Sequence, residues 1–256
     1  MVAPIGDRGT PDARFANERA FLDAYDAEAF PRPSLAVDVV LLCVQGAALQ
    51  VRVIRRAEHP FAGTWTLPGT FVGLEEDLPD AAARVLRDKL GLTDVHLEPF
   101  HTFGAPGRDP RTRIVTVAHV ALVPEAQGEL AEGRWGEVVV PWSGDAGGDV
   151  RVRGDGAELP LGFDHAVLIG GAVAHLRRLL GETRPRTVGT LGVARPLLPE
   201  SFTLRRVQAI HEALAGRAVN KDSFRRKVLS ENRLQATGER EASVGHRPAE
   251  LYRFLL

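Results

Sequence analysis

Residues 70–92 read TFVGLEEDLPDAAARVLRDKLGL, and the punctuation of this stretch leaves the chain little freedom. Proline has no N–H to offer an earlier turn, so Pro79 belongs in the first turn of a helix. That helix runs to about Leu90, where Gly91 closes it as a C-cap. Upstream lie two β-rich runs, Leu35–Val44 and Ala48–Arg55, split by Gln45-Gly46-Ala47 as a hairpin would be. Between hairpin and helix, His59–Pro68 reads as a loop carrying Trp65.

The same reading extends along the chain. Residues 1–16 are small, polar and rich in Pro and Gly, and are expected to be disordered. Glu18–Phe30 has Phe21, Leu22, Tyr25 and Phe30 at the spacing of a short helix that ends before Pro31. Val95–Phe103, Ile114–Val123 and Gly136–Pro141 are further strands, with a polar loop, Gly104–Thr112, between the first two. Gly144–Gly156 is turn-rich and expected to be exposed. Phe163–Leu180 has helical spacing, with Val167, Leu168, Val173, Leu176 and Leu180 facing a core.

Length, charge and cysteine content narrow the class. A chain of 256 residues suits one large domain or two modest ones. No apolar run approaches the roughly 20 residues that cross a bilayer, and Leu35–Val44 is interrupted by Asp38. The first residues carry no basic-then-apolar signal, and Cys43 is the only cysteine. A cytoplasmic location is therefore expected, with Cys43 as a small core residue.

The formal charge of −1, from 32 basic and 33 acidic residues, hides an asymmetry: 14 basic face 7 acidic residues from Arg184 to Leu256, leaving 18 and 26 before it. A basic end on an acidic body is the pattern of an attached polyanion-binding module, or of two parts packed through opposite charge. Gly181–Pro185, where the sign changes, is the natural boundary.

Beyond it, Thr203–Ala215 is helical, with Thr203 or Ser201 as N-cap, and Gly216 follows. Asn220 caps a second helix, Lys221–Glu231, with Phe224, Val228 and Leu229 facing inward. Leu234–Glu239 and Glu250–Leu255 pair around a loop at Ala242–Pro248. Helix, turn, helix and hairpin form the order of a winged helix-turn-helix. Lys221, Ser223, Arg225, Arg226 and Lys227 project from the N-terminal half of the second helix, where base edges and phosphates are reached. Arg240, His246 and Arg247 stand in the wing. A protein-interaction module with a solvated basic face is the rival reading.

The spacing of residues 70–92 resembles the Nudix box, whose pattern is Gly, five residues, Glu, seven residues, then Arg-Glu-aliphatic-any-Glu-Glu-any-Gly-aliphatic. Here Thr70 takes the place of the first Gly, while Glu76, Arg84, Gly91 and Leu92 fit, and Trp65–Gly69 (WTLPG) looks like the usual lead-in. Val85, Asp88 and Lys89 occupy the three glutamate positions. These positions are related as i, i+3 and i+4, and glutamates there would hold hard cations such as Mg²⁺ through oxygen. Their charge has gone from −3 to zero, so no catalytic residues, no resident metal and no required cofactor are expected. Glu76, Arg84 and Asp88 are the residue of the box, with Glu76 and Asp88 as weak metal candidates if hydrolysis survives.

Lys89 could take the space of a missing metal and meet ligand phosphates directly; a drifting surface lysine is the alternative. Glu76 and Arg84 read as an ion pair bracing loop to helix. Arg56, Trp65, Phe103, Arg111 and Arg113 complete the ligand candidates, by phosphate contact or by stacking on a base. Asp164 reads as the N-cap of the last helix and His165 as a satisfied buried histidine.

The segment FTLRRVQAIHEALAGRAVNKDSFRRKVL, followed by GHRPAELYRF, resembles the C-terminal domain of Nudix-related transcriptional regulators of NAD metabolism. The resemblance implies a Nudix α/β/α sandwich with a mixed sheet at residues 17–181, a linker at 182–201 and a winged helix at 202–256. It further implies a homodimer on a double-stranded DNA operator, repression of NAD biosynthesis or salvage genes, and ADP-ribose or a related NAD derivative as effector. The alternative is an active Nudix hydrolase cleaving ADP-ribose or a similar nucleoside diphosphate derivative with Mg²⁺.

Overall fold

The computed structural model describes residues 14–125, 132–181, 189–242 and 248–255. It divides into two compact units, Met1–Pro33 and Ser34–Leu256. In the first, helix α1 (Glu18–Ala24) starts at Asn17, whose side chain accepts from the Ala20 N–H. It stops six residues short of the expected end, and a 3-10 turn, Ala27–Ala29, follows. Phe15, Phe21, Tyr25 and Phe30 form a chain of ring contacts 5.3–6.1 Å apart. Most of residues 1–16 lies outside the described residues.

The second unit is built on a mixed sheet. Its spine is the hairpin of β1 (Ser34–Gln45) and β2 (Ala48–Arg55), in register from Leu42↔Val51 to Gln45↔Ala48. After two short strands, β3 (Trp65–Thr66) and β4 (Gly69–Phe71), come helix α2 (Leu78–Leu90) and strands β5 (His96–Phe103), β6 (Ile114–Leu122), β7 (Arg134–Val139), β8 (Arg151–Gly154) and β9 (Ala157–Glu158). The order across the sheet is β5-β6-β1-β2-β7-β8-β9, with β3 on β2 and β4 on β1. Among the described residues only β6 runs parallel to β1.

Strand β1 is buried on both faces, which is why it reads as an unbroken apolar run rather than an alternation. Val37, Val39, Leu41 and Cys43 pack with Ala81, Ala82, Val85, Leu86 and Leu90 of α2. Val40, Leu42 and Val44 pack with Leu168, Ile169, Val173 and Leu176 of helix α3 (His165–Gly181). Each fully buried aliphatic side chain contributes about 1.5–3 kcal/mol. Asp38 shares the parity of Val40 and so lies on the α3 side. Helix α2 is fixed at both ends: Asp77 Oδ1 accepts from the Leu78 N–H, and Gly91 takes a left-handed conformation at φ 69°.

Four expectations need correction. Gly144–Gly156 is not wholly exposed. Val150 and Val152 are buried and β8 pairs with β7; the alternation Val-Arg-Val-Arg is too short to stand out among its flanking glycines. Val167 and Leu229 do not face a core, being 39% and 36% exposed. Leu168 and Val228, one step round each helix, take the inward stripe. Residues 182–201 are not a linker throughout. From Gly189 to Ala194 the chain forms helix α4, and Leu191, Val193, Ala194, Leu197 and Leu198 are buried. A helix this short has too few turns to declare a period, and packing against α3 and the next helix makes it.

That next helix, α5 (Leu204–Ala215), is capped by Thr203 and ends at a left-handed Gly216. Helix α6 (Lys221–Ser230) follows, then the hairpin of β10 (Leu234–Arg240) and β11 (Glu250–Phe254). The backbones of Phe202 and Tyr252 exchange hydrogen bonds of 2.9 and 2.7 Å, seating the hairpin on the start of α5. Val207, Ile210, Leu214, Phe224, Val228 and Tyr252 belong to the same apolar cluster as the α3 face of the sheet. The basic end is therefore cemented to the sheet rather than tethered.

Candidate functional site

The start of β1 opens into a cleft of about 280 Å³. Four cations line it: Arg56 from the end of β2, Lys89 from α2, and Arg108 and Arg111 from the polar loop. The main chain of Gly69 and Thr70 forms one wall. A Cβ at Gly69 would lie 2.1 Å from Asp38 Oδ1 and 3.0 Å from the Val37 carbonyl oxygen, so a side chain there would displace the Asp38 carboxylate.

At the back of the cleft the charges are spoken for. Arg108, its side chain 5% exposed, makes two 2.8 Å hydrogen bonds to Asp164 and stands 3.5 Å from Asp38. His165 Nδ1 accepts from the Leu67 N–H at 2.8 Å, so its proton sits on Nε2, which faces Asp38 at 3.9 Å. Burial holds the His165 pKa below its usual 6.5, against the pull of Asp38 and Asp164. The imidazole is a neutral wedge between a main-chain donor and a carboxylate. Asp164 is thus an arginine partner rather than a side-chain cap.

At the mouth the cations are available. Lys89 Nζ donates to the Gly69 carbonyl at 2.6 Å, and Arg56 Nε to the Pro60 carbonyl at 2.5 Å. Neither has a carboxylate within ion-pair distance among the described residues. Burial lowers the Lys89 pKa, while Glu132 and Asp38 oppose the shift. Arg111 is paired with Asp109 at 2.7 Å but keeps 42% of its side chain exposed. Arg56 and Arg111 also lie over the Phe163 ring at 5.2 and 5.8 Å. Phe163 and its neighbour Phe61 both have positive φ, 55° and 64°, a conformation that costs a bulky residue about 1 kcal/mol or more.

The remains of the box do different work. Arg84 makes two 2.7 Å bonds to Glu76, and the Gly73 N–H donates to the same carboxylate at 3.0 Å. Arg84 holds the Glu76 pKa down to about 2. The pair braces the loop against α2. Val85 is 1% exposed inside the core. Asp88 pairs with Arg87 at 2.9 Å, half-exposed and outside the cleft lining. Of the three glutamate positions only Lys89 faces the cleft. This donor set does not fit a divalent cation: Glu76, Asp38 and Asp109 are each answered by an arginine. Among the described residues no three His, Cys, Asp or Glu side chains converge as metal ligands.

Of the expected ligand residues, Arg56, Lys89 and Arg111 line the cleft. Trp65, Phe103 and Arg113 do not. Trp65 lies under Arg134, Phe103 packs on Phe100 and His101, and exposed Arg113 uses its carbonyl to receive the Ser34 N–H. Asp38, Arg108 and Phe163 were not expected in the cleft lining, and His165, expected as a satisfied buried histidine, is that and lines the cleft too. A charged residue inside the apolar run of β1 was the available signal.

On the basic end, Lys221, Ser223, Arg225, Arg226, Lys227 and Arg240 are all exposed. Asn220 is exposed too, but its side chain is occupied as the α6 cap, accepting from the Ser223 N–H at 3.0 Å. His246 and Arg247 lie outside the described residues. Two arginines tie this end to the sheet. Arg206 of α5 donates to the carbonyls of Val44 and Gly46 and pairs with Glu125. Arg177 of α3 donates to Leu214 at 2.8 Å and Gly144 at 2.9 Å.

Fold and site together define a Nudix domain joined to a winged helix. Residues 32–142 match the NUDIX domain and residues 194–254 the NrtR DNA-binding winged helix domain. The chain is 33% identical, over 94% of its length and 90% of the relative's, to the ADPR responsive transcriptional repressor NtrR of Acinetobacter baylyi. It belongs to the NrtR family of transcriptional repressors. The structure of Shewanella oneidensis NrtR complexed with a 27mer DNA superimposes with a TM-score of 0.66 at 31% identity, covering 86% of this chain and 93% of that one. A MutT/nudix family protein from Enterococcus faecalis shares the fold, with a TM-score of 0.71 at 23% identity over 94% of each chain.

Proposed function

We propose that the protein is a cytoplasmic, homodimeric repressor of NAD biosynthesis or salvage genes whose effector, ADP-ribose or a related NAD derivative, binds in the Lys89 cleft without being hydrolysed. Lys89 carries this reading. It places an ammonium group at the one former glutamate position that still faces the cleft. An ammonium can meet a diphosphate directly, where a carboxylate would need a metal between them. Arg56 and Arg111 add charge and Phe163 a planar face. The relative's responsiveness to ADPR supports the choice of ligand.

A dimer would set two α6 helices on a pseudo-palindromic operator. The effector changes DNA binding only if it favours the free form over the bound form, or the reverse. Strand β1 is a direct route between the sites. Asp38 stands at the cleft and Val44, six residues on along the same face, accepts from Arg206, a span of about 20 Å.

The test is binding of the full-length protein to duplexes from upstream of its own and neighbouring genes. ADP-ribose or NAD is added or withheld, and the nucleotide is assayed afterwards for cleavage. Salt-dependent binding altered by intact nucleotide supports the reading. Magnesium-dependent AMP release at ordinary enzyme rates would establish a hydrolase instead.

A further inference from the structure

A hollow of about 920 Å³ lies between β7 and the end of α3 on one side and the α5–α6 turn on the other. It has the size of a small-molecule site and is larger than the 280 Å³ cleft, with which it shares no lining residue. Leu49, Val138, Leu180 and Phe224, all buried, give it apolar walls. Trp142 adds a ring, with the Arg177 guanidinium 4.8 Å from its centre.

The charges around the hollow are one-sided. Arg177, Arg217 and Lys227 line it against a single carboxylate, Asp145. Arg217 and Lys227 are exposed, whereas Arg177 is half-buried. Among the described residues no carboxylate lies within ion-pair distance of Arg177. Its Nε and Nη1 donate to the carbonyls of Leu214, Gly144 and Trp142, and its Nη2 has no acceptor among the described residues. Burial lowers the Arg177 pKa and no acid offsets the shift. A guanidinium drawn partly out of water without a counter-ion favours any anion that can reach it. The same positive field acts on His211, another lining residue, whose pKa is lowered by burial and then by Lys227 and Arg217.

We propose that this hollow is a second ligand site, separate from the Lys89 cleft, for a phosphate monoester carrying a planar or apolar body of up to mononucleotide size. The dianionic head would meet the open Nη2 edge of Arg177 and the ammonium group of Lys227. The body would lie against the apolar walls and the Trp142 ring. The walls belong to both the sheet and the winged helix, so an occupant would bear on how the two are held together. The site does not depend on what fills the Lys89 cleft.

The experiment is calorimetric titration of the full-length protein with phenyl phosphate, AMP and inorganic phosphate, each with and without excess ADP-ribose. Phenyl phosphate and AMP should bind saturably, one per chain, more tightly than inorganic phosphate, and ADP-ribose should not displace them. R217A and K227A should each weaken both organic probes ~3-fold, the modest effect of an exposed cation. R177K keeps the charge but loses the planar fork, and should weaken them ~10-fold. Arg217 and Lys227 are exposed, so their variants keep the test decisive if Arg177 proves necessary for folding.

Absence of saturable binding by both organic probes would overturn the proposal. So would displacement by ADP-ribose, which would place them in the Lys89 cleft, or affinities unchanged in R217A and K227A. Equal affinity for inorganic phosphate would overturn the assigned ligand class, because the apolar walls would then contribute nothing.

Discussion

Arg206 and Glu125 form a 3.0 Å ion pair that joins the winged helix to the end of a sheet strand. The same guanidinium donates to the Val44 carbonyl and to Gly46 at 3.2 Å. All of these acceptors lie in the front domain, in or beside the β1–β2 hairpin and at the end of β6. Arg206→Ala should leave the cleft intact and its nucleotide affinity unchanged, while reducing the effect of nucleotide on DNA binding. Charge-assisted hydrogen bonds contribute ~1.5–3 kcal/mol each, so some loss of stability should accompany it. Parallel nucleotide titrations with and without operator check this. A variant with full nucleotide response would remove Arg206 from the coupling.

Lys89→Ala should weaken nucleoside diphosphate binding ~10- to 100-fold, the range for losing one charge-assisted hydrogen bond to phosphate. Calorimetric titration with ADP-ribose reads this directly. Unchanged affinity would mean the amine only braces the Gly69 carbonyl.

Val85→Glu should destabilise the protein by ~3 kcal/mol or more, because the site is 1% exposed among alkyl groups. The denaturant midpoint should fall, whereas the change Asp88→Glu, at a half-exposed position, should scarcely move it. The combination V85E/K89E should yield no magnesium-dependent AMP release, because Glu76 is engaged by Arg84 and the other former ligand points away.

Acid should loosen the fold before it touches the Glu76 brace. Burial, the leading cause in each case, holds the pKa values of His119, His165 and His211 below the usual 6.5. Below that pH the unfolded chain takes up protons that the folded chain resists, so stability is full above about 6.5 and falls as pH drops. Thermal midpoints should decline from pH 7 to pH 5. His165→Gln should flatten the decline in part, and a flat profile in the wild type would contradict the buried neutral imidazoles. Glu76, with its pKa lowered to about 2 by Arg84, contributes stability present above its ordinary 4.5. That contribution disappears only toward pH 2.

Much of this was legible in the chain, for local reasons. Pro79 and Gly91 bracket α2, the run Leu35–Val44 gives the doubly buried β1, and Thr203, Gly216 and Asn220 punctuate the winged helix. The Glu76–Arg84 pair followed from box spacing alone. The cleft was harder, because it is assembled from β1, β4, α2, the 104–112 loop and the start of α3. Spacing along the chain carries no record of which side chains meet there. Asp38 was visible only as a charge that spoiled an apolar run, and Arg108 as one of several arginines in a loop. Trp65 and Phe103 looked like stacking rings because aromatic residues serve cores and ligands equally. Helix α4 was lost because its form comes from the packing of Leu191, Val193 and Leu197, not from a pattern of its own.

The buried Val85 works as a ratchet. A surface ligand position that loses its glutamate can regain it by one substitution. Val85 is buried in the apolar cluster that also holds Val37, Val39 and Ala82, and a carboxylate there would meet hydrocarbon before it met a cation. The interior of α2 thereby closes position 85 to a charged side chain.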